Sequence, residues 1–126
     1  MIYDQAHQLA RTLASSSEYQ AFVEAKQKVS ANEKTLEMLR SFRRRQMEVQ
    51  TKKILGQEVS TEQEGELERM SEILGYNETI REFLAAEAHL ARVIGDIQKI
   101  LADAIPEWFE FAKLLGTEGE KDGEGN

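Results

Sequence analysis

Cysteine is absent from the 126 residues. That excludes disulfides, thiolate-ligated iron–sulfur clusters, Cys-bearing zinc sites and a cysteine nucleophile. Proline occurs once, at Pro106, and aromatics make up only 7% of the chain. A β-sandwich needs frequent turn residues, so this composition fits a helix-rich domain better. Histidine is equally scarce, at His7 and His89. A four-helix di-iron site needs two Glu-x-x-His pairs plus two further carboxylates. Here only Asp4-x-x-His7 pairs an acid with a histidine at that spacing, and Glu87 and His89 fall on different faces of a helix. Long apolar runs are missing too. The most hydrophobic stretch, Phe83 to Leu101, is interrupted by Glu87, His89, Arg92, Asp96 and Lys99, far short of the ~20 apolar residues that span a bilayer. The start, Met1-Ile2-Tyr3-Asp4, has no basic segment leading into an apolar one, so no secretory signal and a cytoplasmic location are expected. No Gly-x-Ser-x-Gly elbow, Ser-x-x-Lys pair, Gly-x-x-x-x-Gly-Lys loop or Gly-x-Gly-x-x-Gly turn occurs. No catalytic residues, no cofactor and no metal are expected.

What is present is charge and helical periodicity. Charged residues are 31% of the chain, with a formal net charge of −7, which disfavours non-specific binding to nucleic acid or an anionic membrane. The apolar spacing predicts an all-α fold in one domain over 1–115: an elongated bundle of about five helices, with a disordered acidic tail at 116–126. Helix 1 is expected over Ile2–Ala14, with Ile2, Ala6, Leu9, Ala10 and Leu13 on one stripe. Ser15 and Glu18 have capping-box spacing and predict the start of helix 2. Asn32 should cap helix 3, Gly56 stop it, and Ser60 with Gln63 open a helix 4 that ends at Gly75. Asn77 should cap helix 5, and Pro106 should end it, with a further short helix open to the segment that follows.

Helix 5 is the most regular element. Ile80, Phe83, Glu87, Leu90, Ile94, Ile97, Leu101 and Ala104 alternate steps of three and four, a seam with one polar intruder. About 28 residues at 1.5 Å each give roughly 42 Å, whereas a compact chain of this length is only about 36 Å across. The apolar seam therefore calls for a partner, most simply a second copy in a twofold dimer. Phe83, Leu90, Ile94, Gly95, Ile97 and Leu101 are the expected interface. Gly95, costly in a helix interior by up to about 1 kcal/mol, points to a close helix crossing, inside the chain or across the dimer. Trp108, Phe111, Ala112 and Leu115 have the i, i+3, i+4, i+7 spacing of an amphipathic helix laid in a groove. They are expected to dock on the chain itself, on a second copy or on a partner protein. Arg40, Arg43, Arg44 and Arg45 lie within six residues with no acid between them. Clustering of this kind suits a phosphate-binding patch. It also suits a solvated face carrying Arg44–Glu48 and Glu48–Lys52 pairs. Glu87 and Gln46 are polar residues at apolar stripes; a buried Glu87 would need an arginine or Gln46 as partner.

A set of short segments adds a resemblance. Tyr3-Asp4, Ser17-Glu18-Tyr19, Phe42-Arg43 with Gln46, Gly56-Gln57-Glu58-Val59-Ser60, and Ile80 through Ala86-Glu87 to Ile94-Gly95-Asp96-Ile97-Gln98-Lys99-Ile100 occur in that order. Together they resemble the YlbF/YmcA family of small helical bacterial proteins, most of all its YheA branch. The resemblance covers about residues 3 to 106. It implies an all-α fold, self- or hetero-oligomerisation, and a regulatory or adaptor role without known catalysis. It implies links to competence, biofilm formation, sporulation and messenger-RNA processing with ribonuclease Y. Possible partners on this reading are a second copy, other family members or an RNA-processing assembly, without membrane insertion. The iron–sulfur clusters associated with the family's complex are bound through cysteines, which this chain lacks.

Overall fold

A computed structural model describes residues 1–116. Beyond Gly116, the expected acidic tail lies outside the described residues. The described residues form six helices and no strand: α1 (Ile2–Ala14), α2 (Ser17–Ser30), α3 (Glu33–Ile54), α4 (Thr61–Gly75), α5 (Glu78–Ala104) and α6 (Pro106–Leu114). The expectation of about five helices is corrected to six. Pro106 both ends α5 and opens α6, because its ring fixes φ at a helical value and its missing N–H costs nothing at the first helical position.

The capping residues explain most boundaries. The Asn32 carboxamide oxygen accepts from the Thr35 N–H at 3.0 Å, and that of Asn77 accepts from the Ile80 N–H at 3.0 Å. Ser60 and Gln63 form a reciprocal box: each backbone N–H donates to the other's side chain. Gly56 takes φ +76° just past α3, the left-handed conformation that ends helices at glycine. The start of α2 differs from expectation by one residue. Ser16, not Ser15, accepts from the Tyr19 N–H at 3.1 Å. The Ser15 hydroxyl instead donates back to the Arg11 carbonyl at 3.0 Å, closing α1. Consecutive serines can serve either end, and the backbone turn decides which one faces forward.

The chain divides into two compact units within α5, the first being Met1–Leu90 and the second beginning at Ala91. In the first, Val29, Leu39, Phe42, Leu74 and Ile80 form the buried centre, with Leu36, Met38, Leu67, Met70, Phe83 and Leu84 packed around it. Thus α2, α3, α4 and the opening of α5 share one core. α3 and α4 run antiparallel: Arg45 pairs with Glu66, and Lys52 and Lys53 reach Gln63 and Glu64. The Phe22 and Phe83 rings sit 5.6 Å apart, tying α2 to α5. α1 contributes no buried residue. In the second unit, Phe109 of α6 turns toward the last turns of α5, where it shares a cleft with Gln98, Leu101 and Ala102. No described helix is long and apolar enough to cross a membrane.

Candidate interaction surfaces

The seam of α5 splits into two parts. Ile80 is fully buried, Leu90 is buried, and the Phe83 ring lies against Phe22, so the expected interface residues Phe83 and Leu90 take part in the first unit's own packing. From Ala91 to Gly116 no residue is buried. Ile94 is 39% exposed and Leu101 54%, while Ile97 is half-buried. Gly95 lies between them. A Cβ built there would meet no atom within 4 Å beyond its own helix backbone. The close crossing that this glycine suggests is therefore not made within the described chain.

The α6 stripe also faces outward. Trp108, Phe111 and Leu115 are all exposed, Trp108 by 68%. The α6 residue that shares a cleft with α5 is Phe109, on a neighbouring stripe of the same short helix, and Ala112 of the expected stripe is half-buried. In a sequence, one apolar helix with two usable stripes does not reveal which faces its own chain.

The arginine cluster is tied to carboxylates. Arg40 and Arg44 both reach Glu37, Arg45 reaches Glu66 at 2.8 Å, and Arg43 makes a two-pronged pair with Glu87. Arg43 thus supplies the partner that the polar intruder of the seam requires, and the pair joins α3 to α5 with both groups half-buried. Gln46 is exposed. Among the described residues, no group of three or more His, Cys, Asp or Glu converges as metal ligands would.

One surface escaped the sequence reading. Met38, Met70, Ile73 and Leu74 line an apolar cleft of about 360 Å³ between α3 and α4, with Lys34, Glu37 and Ser41 at its edge. Ile73 remains 58% exposed there, although the neighbouring Leu74 is buried. Adjacent apolar residues on a helix point about 100° apart, so Leu74 faces the core and Ile73 the cleft. The methionines make its floor adaptable, as unbranched thioethers repack easily around a guest.

Three comparisons bear on this geometry. The family described as control of competence regulator ComK, YlbF/YmcA, matches residues 2–106. A UPF0342 protein of Caldicellulosiruptor bescii is 38% identical over 104 residues, covering 82% of this chain and 87% of its own length. A UPF0342 protein of Halothermothrix orenii is 41% identical over 100 residues, covering 79% and 85%. Among solved structures, a protein of unknown function (DUF964) from Bacillus stearothermophilus superimposes with a TM-score of 0.72 at 20% identity, covering 84% of this chain and 93% of that one. That likeness establishes the shared helical fold.

Proposed function

The chain belongs to the YlbF/YmcA family, and from that membership and the surfaces above we propose that it is a non-catalytic, cytoplasmic interaction module acting as a homodimer. The observation that carries this reading is the second half of α5, where Ile94, Ile97 and Leu101 continue the seam and no residue is buried. Ile94, Ile100, Leu101 and Ile105 are 39%, 66%, 54% and 52% exposed, an apolar strip toward the ~800 Å² that each partner contributes to a standard interface. A twofold axis through this face would cover it on both copies at once. Gly95 would admit the partner helix closely. The likeness to the YheA branch extends the reading to a regulator that binds and modulates larger assemblies, including other family members or an RNA-processing assembly. RNA binding through Arg40, Arg43, Arg44 and Arg45 is the weaker reading, because each guanidinium is paired with a carboxylate, Arg40 and Arg44 sharing Glu37.

Light scattering across micromolar concentrations tests the oligomeric part. A dimer mass that falls to the monomer value on dilution is expected. A monomer throughout the range ends the homodimer reading.

A further inference from the structure

We propose that the apolar cleft between α3 and α4 receives the outward face of α6 from a second copy, with Trp108 as its anchor. This rests on the homodimer reading and adds a contact that the α5 seam alone does not require. The cleft, at about 360 Å³, is at the lower end of the range of preformed sites and suits one or two large side chains. Trp108 and Phe111 are the large aromatics that α6 leaves uncovered. Anchors of this type, Trp above all, dominate binding when they enter a desolvated pocket.

Charge fits the same pairing. Glu37 at the cleft edge is already held by Arg40 and Arg44. Lys34 shares that edge and forms no ion pair among the described residues. Glu107 and Glu110 flank Trp108 and Phe111 on α6 and likewise have no cation among the described residues. Docking α6 would set these acids beside the free lysine.

The contact is made twice in a twofold dimer, so it closes without leaving a free cleft to recruit further copies.

Trp108 is the only tryptophan, so its fluorescence reports this contact in the unaltered full chain. Emission and acrylamide quenching are followed through the concentration range in which light scattering shows the dimer forming. Quenching should fall several-fold, with emission moving to shorter wavelength, as the dimer forms. Ile73→Glu, on an exposed wall of the cleft, should return quenching to the dilute level while the dimer mass persists. Lys34→Glu should do so in part, and adding Glu107→Lys and Glu110→Lys should reverse its effect. A dimer in which Trp108 stays fully quenchable overturns the contact and leaves the homodimer standing. Protection that is independent of concentration assigns the cleft to the same chain and also overturns it, as does protection unmoved by Ile73→Glu. A monomer at every concentration fails the homodimer reading itself, and the contact with it.

Discussion

The two halves of α5 carry one continuous apolar spacing and meet opposite fates. From Glu78 to Leu90 the helix is built into a core: Ile80 is fully buried, Leu90 buried, and Glu87 bound by Arg43. From Ala91 to Ala104 the spacing continues through Ile94, Ile97 and Leu101, yet nothing is buried. Periodicity therefore specifies which face of a helix is apolar. What covers that face is decided by other elements, here α2, α3 and α4 for the first half, and by the proposal above a second copy for the other.

The sharpest way to break this comparison is to truncate one residue in each half. Ile80→Ala should cost about 2–5 kcal/mol, since it removes buried methyls and leaves a cavity. Leu101→Ala, in a sample dilute enough to be monomeric, should stay within about 0.5 kcal/mol, as surface changes do. Urea unfolding checks both, and equal losses would erase the distinction between the halves. The next largest effect concerns association. Leu101→Asp places a charge in the proposed dimer face, where a central residue is worth about 2 kcal/mol or more. The dissociation constant measured by light scattering should rise at least about 30-fold. The urea midpoint of the dilute chain should not move.

A smaller effect tests how the first half is held. Glu87→Gln weakens the two-pronged pair with Arg43 and should cost about 1 kcal/mol, below the usual value for a charged hydrogen bond because both groups are half exposed. Glu37→Gln, which touches only exposed arginines, should cost less than about 0.5 kcal/mol. Similar losses for the two would mean that Glu87 sits in the seam without fixing the register of α5 on α3.

Much of this molecule is legible in its sequence, for reasons that are local. Asn32, Asn77, and Ser60 with Gln63 sit where a helix must satisfy its first N–H groups, and their side chains do so. Gly56 takes the left-handed turn that α3 needs to stop. The failures are of two kinds. Ser15 and Ser16 have the same chemistry, and only the turn between α1 and α2 separates their roles. The inner face of α6 and the cleft between α3 and α4 depend on which of two neighbouring apolar residues faces the core. Ile73 and Leu74, or Trp108 and Phe109, are equivalent in a sequence. They become distinct once the opposing helix is in place.

Substitution at Gly95 separates the two halves most cleanly, because the sign of its effect depends on concentration. Gly95 has open space where a Cβ would stand. In the dilute chain, Gly95→Ala should therefore stabilise, by about 0.5–1 kcal/mol, as the helix gains the lower backbone entropy of alanine and loses no contact. In the proposed dimer the same position would face a partner helix at close range. Gly95→Leu should then weaken association, because its side chain separates the two backbones, while leaving the dilute chain at least as stable as the parent. Thermal unfolding at two concentrations reads both signs. A leucine that stabilises equally in dilute and concentrated samples would place the crossing elsewhere on α5. The exposed Ile94 and Leu101 would then have to meet the second copy by a face that excludes Gly95.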